Sequence, residues 1–319
     1  MESITKTVVD AATAEAVVRD AFDGVALAGI EELTGGGFNA AYTLCLADGR
    51  TAVMKVSPPP HVTLLRYERG LMKVEAEAMR LAASWGAPVP QVLWLDETHT
   101  HLDSSVLVME WCRGDLMKHV RPALSVDQQA VVDRQVAHWL RRFHEHTAHD
   151  FGLFADDAAR FERWSDAFID LYDMVIADAR DAEVVLPRSY DELAAIPRRH
   201  ADALDVVTVP RFVHWDLWDQ NVFVDPATLQ VTGLIDFERA LWGDPLMEVN
   251  FAIKADDPAY LGEYGPVFTD EAGHLRRRLY DLYLSTVMTV ESTYRQYRDP
   301  SNESLGRMWL GATLDALAD

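Results

Sequence analysis

The chain has 319 residues, 49% of them hydrophobic, and a formal charge of -22. That length suffices for two lobes with sizeable cores, and its acidic balance disfavours nucleic acid as a partner. Two cysteines, Cys45 and Cys112, give neither a disulfide framework nor a cysteine metal site. No apolar run reaches membrane-spanning length and the first residues lack the apolar core of a signal peptide, so no membrane partner and a cytoplasmic location are expected. The acidic residues are spread along the chain, so the charge reads chiefly as solubility, although an acidic face would also attract a polycation.

An opening helix is expected at residues 8–22. A strand-like run at 25–33 leads into Gly35-Gly36-Gly37-Phe38-Asn39, a second run at 41–46, an Asp48-Gly49 turn and Val53-Met54-Lys55-Val56. The order is strand, glycine loop, strand, turn, strand. Gly35, Gly36 and Gly37 let backbone amides approach phosphates, and Lys55 alternates with apolar neighbours on a strand that faces a cleft. Its expected partners are the phosphates of a nucleotide. Residues 65–84 read as a helix with Leu71, Val74, Ala78, Leu81 and Ala82 on one face; Glu75 falls on that stripe and is the expected counter-charge for Lys55, whereas Glu77 points away. Residues 109–114 read as a hinge, with Met109, Glu110 and Cys112 against the base of the nucleotide. This divides the chain into a nucleotide-binding lobe (1–112) and a helical lobe (113–319) with the catalytic loop and acceptor pocket. Helices are expected in that second lobe at 125–146, 161–179, 189–204, 271–297 and 305–317. Arg276-Arg277-Arg278 reads as a solvated face, because one helical turn spreads the three side chains.

The most informative segment is His214-Trp215-Asp216-Leu217-Trp218-Asp219-Gln220-Asn221, followed by Ile235-Asp236-Phe237. An apolar strand precedes Asp216 and a second strand, at 231–235, ends at Asp236, so a hairpin brings Asp216, Asn221 and Asp236 together. Phosphoryl transfer needs that convergence: Asp216 to take the hydroxyl proton, Asn221 and Asp236 as oxygen ligands for Mg2+. The spacing matches the catalytic-loop and metal-loop parts of the kinase signature set.

With Trp242-Gly243-Asp244-Pro245-Leu246-Met247-Glu248 and Val89-Pro90 added, the chain resembles the aminoglycoside phosphotransferase family over most of its length. The resemblance implies an α+β, bilobal protein-kinase-like fold, with an N-terminal antiparallel sheet lobe and a mainly helical C-terminal lobe. It also implies Asp216 as the catalytic aspartate, Asn221 and Asp236 on magnesium, Lys55 on the phosphates of ATP or GTP, and His214 as a brace for the loop. Glu248 stands where the family more often has aspartate, and Glu238 where protein kinases have glycine. Few residues separate Asp236-Phe237 from Gly243-Asp244-Pro245, too few for a segment that docks a polypeptide, and Trp218 replaces the lysine of Ser/Thr protein kinases. The expected acceptor is therefore a hydroxyl of a small molecule: an aminoglycoside, or an amino alcohol, sugar, homoserine-like or other metabolite. A nucleotide-binding pseudokinase module is the alternative. Trp164, Phe168, Tyr172, Trp218, Trp242 and Tyr283 are candidate pocket liners, although aromatic residues at helical spacing more often belong to the core, and Asp219, Glu238 and Glu248 are candidate partners for an ammonium group. The oligomeric state is not readable.

Overall fold

A computed structural model describes residues 3–154, 160–267 and 270–318. Helix α1 (Ala11–Ala21) starts where Asp10 accepts from the Thr13 N–H at 2.7 Å, and it buries Ala14, Val17 and Val18 against the first sheet. That sheet has five strands in the order β1 (Leu27–Glu32), β2 (Ala40–Leu46), β3 (Thr51–Val56), β5 (Val106–Glu110), β4 (Val92–Asp96), all antiparallel. Strand periodicity sends Ala52, Met54 and Val56 of β3 into the core under α1 and turns Lys55 to the other face. That other face is covered by α2 (Leu71–Ser84), which buries Leu71, Val74, Glu75, Ala78 and Ala82.

The expected helix over 65–84 is shorter than its periodicity. A single 3-10 turn at Arg66–Glu68, tied by the Glu68 carboxylate to the Leu65 N–H, is cut from α2 by Gly70 at φ +73°. After β5 the chain turns at Gly114, whose φ is +94° and whose missing Cβ would lie 2.4 Å from the Val224 carbonyl oxygen. It continues through β6 (Asp115–Leu116), α3 (Met117–Val120) and α4 (Val126–Phe143), which Ser125 and Gln128 open as a reciprocal capping box.

Beyond β7 (Gly152–Leu153), helices α5 (Trp164–Asp181), α6 (Tyr190–Arg199) and α7 (Ala201–Leu204) follow, with a break at His200 after Pro197 dividing the stretch expected as one helix. Four short strands, β8 (Arg211–Val213), β9 (Val222–Val224), β10 (Val231–Leu234) and β11 (Leu241–Gly243), build two three-stranded sheets, β10-β9-β6 and β7-β11-β8. Helices α8 (Val249–Ile253), α9 (Pro258–Tyr264), α10 (Glu271–Arg295) and α11 (Ser301–Ala316) complete the helical half, whose core runs continuously into the apolar face of α2.

The expected solvated face at Arg276-Arg277-Arg278 is not what forms. Arg276 and Arg277 are buried: the first donates to Asp244 at 2.8 Å, the second pairs with Asp281 at 2.9 Å and donates to the Leu246 carbonyl. Asp281 lies four residues on along α10, as helical spacing allows, but Asp244 and Leu246 come from the segment around Gly-Asp-Pro, which that spacing does not reveal. Among the described residues no helix is long and apolar enough to cross a membrane.

Candidate functional site

The loop from His214 to Asn221 is held from below by Glu248. Its two carboxylate oxygens accept from the backbone N–H of His214 at 2.8 Å and of Trp215 at 2.9 Å, and His144 Nε2 lies 3.3 Å away. Trp215 takes φ +69°, and its ring stacks on Tyr283 with centroids 5.1 Å apart. His214 Nδ1 accepts from the Asp216 N–H at 3.3 Å, which leaves Nε2 to donate to the Ile235 carbonyl at 3.1 Å. Burial lowers the pKa of this imidazole, so it bridges the two loops as a neutral ring. Asn221 donates its side-chain amide to the Asp216 carbonyl at 2.7 Å, and its own carbonyl accepts from the Ile235 N–H at 3.0 Å. The β9–β10 hairpin thus carries Asp216, Asn221 and Asp236 to one edge of the cleft.

Lys55 reaches that edge from the sheet. Its ammonium stands 2.5 Å from Glu75 Oε1 and 2.8 Å from Asp236 Oδ1, with the Glu75 side chain fully buried and that of Asp236 at 30% exposure. Burial alone would discharge the lysine, but Asp236 and Glu75 outweigh it and keep it protonated. Asp236 is likewise penalised by burial, and Lys55 overcomes this and holds its pKa below the usual value. Asp236 takes φ +69° and is followed by a 3-10 turn, Phe237–Arg239, that turns Glu238 inward to accept from Asn39 Nδ2 at 2.7 Å. Burial and then the charge of Asp236 push Glu238 up to about 8. Asp216, half-buried, is raised to about 7, first by burial, with Arg239 opposing and Asp236 adding to the rise.

The residues present suit a hard cation. Glu75, Asp236 and Glu238 each offer a carboxylate oxygen within 4.8 Å of the others, and Glu75 Oε2 is buried without a hydrogen-bond partner. The Asn221 amide nitrogen is committed to Asp216, which leaves its Oδ1 as the free donor atom.

Gly35, Gly36 and Gly37 form the loop between β1 and β2, with Gly35 at φ +139°. The loop is tied from two directions: Lys6 Nζ donates to the Asn39 carbonyl at 2.5 Å, and Tyr297 OH donates to the Gly37 carbonyl at 3.3 Å. A Cβ on Gly37 would lie 2.9 Å from that hydroxyl. At the expected hinge Met109, on β5 between β3 and β4, is buried, and the Glu110 N–H donates to the Gln91 carbonyl at 2.9 Å. Cys112 packs on Gly233, where a Cβ would come within 1.9 Å of its sulfur, and burial raises its thiol to about 12. None of these three makes a hydrogen bond or ion pair with the Lys55–Asp236 cluster.

For four of the candidate pocket liners the core reading holds. Trp164, Phe168, Tyr172 and Tyr283 are all core residues, at most 1% exposed. The candidate ammonium partners are already engaged: Asp219 by Arg121, Glu238 by Asn39, and Glu248, fully buried, by the backbone of His214 and Trp215. Residues that the sequence reading passed over are Tyr67 and Arg239. The only signal for Arg239 was its position directly after Asp236-Phe237-Glu238; Tyr67 carried none.

This arrangement of a five-stranded sheet over a helical half is a protein-kinase-like fold. The family model described as "Phosphotransferase enzyme family" matches residues 29–280. The chain belongs to that family. A Ralstonia eutropha JMP134 structure assigned as an aminoglycoside phosphotransferase superposes with a TM-score of 0.65 at 13% identity, covering 97% of this chain and 98% of that one. The streptomycin–ATP ternary complex of APH(2")-IIa gives a TM-score of 0.60 at 16% identity, covering 98% and 97%. A mouse protein, acyl-CoA dehydrogenase family member 10, is 25% identical over 269 residues, 81% of this chain; the chain spans 22% of the length of that relative.

Proposed function

We propose that this protein transfers the terminal phosphoryl group of ATP or GTP to a hydroxyl of a small molecule, with Mg2+. The observation that carries the reading is the convergence of Lys55, Asp216, Asn221 and Asp236 on one cleft beneath a glycine loop. A family relative in complex with ATP and streptomycin supports a nucleotide donor and a hydroxylated acceptor. The short path from Asp236 to β11, one 3-10 turn and then a strand held between β7 and β8, leaves no segment on which a polypeptide would dock.

In this reading Lys55 contacts the donor phosphates, and Glu75 fixes its position. The acceptor oxygen attacks the terminal phosphorus in line, the bond to the bridging oxygen of the leaving nucleoside diphosphate breaks, and the hydroxyl proton passes to Asp216. Asn221 and Asp236 would hold Mg2+, which supplies neutralisation of charge on the phosphate oxygens. Lys55 and the glycine-loop amides complete that neutralisation. The hinge backbone around Glu110 and Cys112 would face the base, and Met109 would form the floor behind it. The test is nucleoside diphosphate release from ATP and from GTP across aminoglycosides and hydroxylated metabolites, with product mass. Product heavier by one phosphate with the wild type, and absent with Asp216→Asn, supports the reading; full turnover by that variant sinks it.

A further inference from the structure

The segment before α1 is anchored across three parts of the nucleotide-binding half. Ser3 Oγ and the Ile4 N–H donate to the Arg295 carbonyl at the end of α10, at 2.9 and 3.3 Å. Thr7 Oγ1 donates to the Ser57 carbonyl, just after β3, at 2.7 Å. Between these anchors Thr5, 1% exposed, donates to the Phe38 carbonyl at 2.7 Å, and Lys6 donates to the Asn39 carbonyl at 2.5 Å. The Lys6 ammonium is thereby set against the glycine loop, 3.5 Å from the place that a Cβ on Gly36 would take.

Lys6 is half-buried, and among the described residues it forms no ion pair. The Asn39 carbonyl takes one of its three N–H donors, which leaves two. Burial is what most lowers the pKa of this ammonium, with Glu32 opposing and Lys55 adding to the fall. A cation removed from water without a counter-charge is costly, and an anion that takes the two remaining donors would offset that cost.

The position of Lys6 says which anion. Asn39, whose carbonyl accepts from Lys6, donates through Nδ2 to Glu238 at 2.7 Å, and the Glu238 carboxylate lies within 4.8 Å of those of Glu75 and Asp236. Lys55 reaches the same Asp236 from β3 at 2.8 Å. Two lysines therefore approach the turn at Asp236 from different elements. Lys55 is held between two carboxylates, whereas Lys6 comes in beside the glycine loop with its charge unpaired.

We infer that Lys6 is a second phosphate-binding lysine, which contacts the terminal phosphate of the bound nucleoside triphosphate through its two free N–H groups. This deepens the phosphotransfer reading and rests on it, since that reading puts the terminal phosphate between the glycine loop and Asp236. There the ammonium neutralises charge on the phosphoryl oxygens that Lys55, already paired with Glu75 and Asp236, does not reach alone.

Calorimetry on the full chain with Mg2+, comparing ATP with ADP and GTP with GDP, tests this. Lys6→Met and the milder Lys6→Gln should weaken whichever triphosphate binds by roughly tenfold, the worth of one charge-assisted hydrogen bond, and the matching diphosphate by less than about threefold. Lys6→Arg keeps the charge and should recover most of the triphosphate affinity. A residue that only ties the loop through Asn39 would act on both nucleotides alike, so equal losses for triphosphate and diphosphate would overturn the inference. Triphosphate affinity unchanged in both Lys6→Met and Lys6→Gln would also overturn it. Failure of the phosphotransfer reading looks different: the wild type then binds none of the four nucleotides, and the inference falls with it.

Discussion

The two ends of the cleft treat charge differently. At the Lys55 end, the proposed phosphate site, Lys55 stands within 2.8 Å of both Glu75 and Asp236, and Glu75 Oε2 is left without a hydrogen-bond partner. At the other end, beside Trp215, the Arg239 guanidinium lies over the rings of Tyr67 and Trp215, and Tyr67 OH and Arg239 Nε are buried without a hydrogen-bond partner. The difference teaches that one cleft can hold its charges in two ways, by direct ion pairs around Lys55 and by stacking of the Arg239 guanidinium over Tyr67 and Trp215.

The sharpest way to break the comparison is to remove the group that stands between the ends. Asp216→Asn should lower kcat by about 10^2–10^4-fold, the range for a positioned general base, with nucleotide affinity little changed in a calorimetric titration. Retained kcat would mean that the aspartate is not the proton acceptor, and the two ends would no longer share a reaction.

Next in size is the cost of unpairing the phosphate end. Lys55→Met leaves Glu75 buried without its ammonium, a loss of about 3–5 kcal/mol in denaturant unfolding. Adding Glu75→Leu should recover much of it, because the pair is then replaced by apolar groups and not broken. A single variant as stable as the wild type would show that the ion pair does not organise the cleft.

Protonation sharpens the contrast further. Asp216 and Glu238 are raised to about 7 and about 8 in the folded protein, from ordinary values of 3.8 and 4.5. The folded state therefore holds protons that the unfolded chain releases, so both groups contribute stability below the ordinary values that is lost as pH rises through 7 and then 8. Over the same interval kcat/KM should rise, since only ionised Asp216 accepts a proton. Thermal unfolding from pH 5 to pH 9 should show Tm falling less in Asp216→Asn than in the wild type. Parallel slopes would place the titration elsewhere.

Much of this fold was legible because its signals are local. The glycine loop between two strands, the lysine on the cleft face of β3 and the hairpin that joins Asn221 to Asp236 all follow from spacing within a few residues. Glu75 was readable from the stripe of α2. What escaped depends on pairs distant in sequence. Nothing near Arg276 names Asp244, nothing near Glu238 names Asn39, and Tyr67 faces Arg239 only after the sheet closes on the helical half. The helix expected from residue 65 failed for a local reason that was visible, Gly70, but its positive φ is a property of the folded turn.

The smallest effect concerns the glycine loop. Tyr297 OH donates to the Gly37 carbonyl at 3.3 Å and accepts from Arg295 Nη1 at 2.8 Å, so the end of α10 restrains the loop that would cover the nucleotide. Tyr297→Phe removes both contacts while keeping the ring, and should cost about 0.5–1.5 kcal/mol, the net value of a hydrogen bond, in chemical unfolding. If the restraint is mainly on the loop, backbone amide exchange should quicken at residues 35–39 and stay unchanged in β3, because local opening of the loop does not require the sheet to open. Exchange that quickens equally in both would show the loop and sheet opening as one unit, and the restraint from α10 would then belong to the stability of the whole half and not to the phosphate end alone.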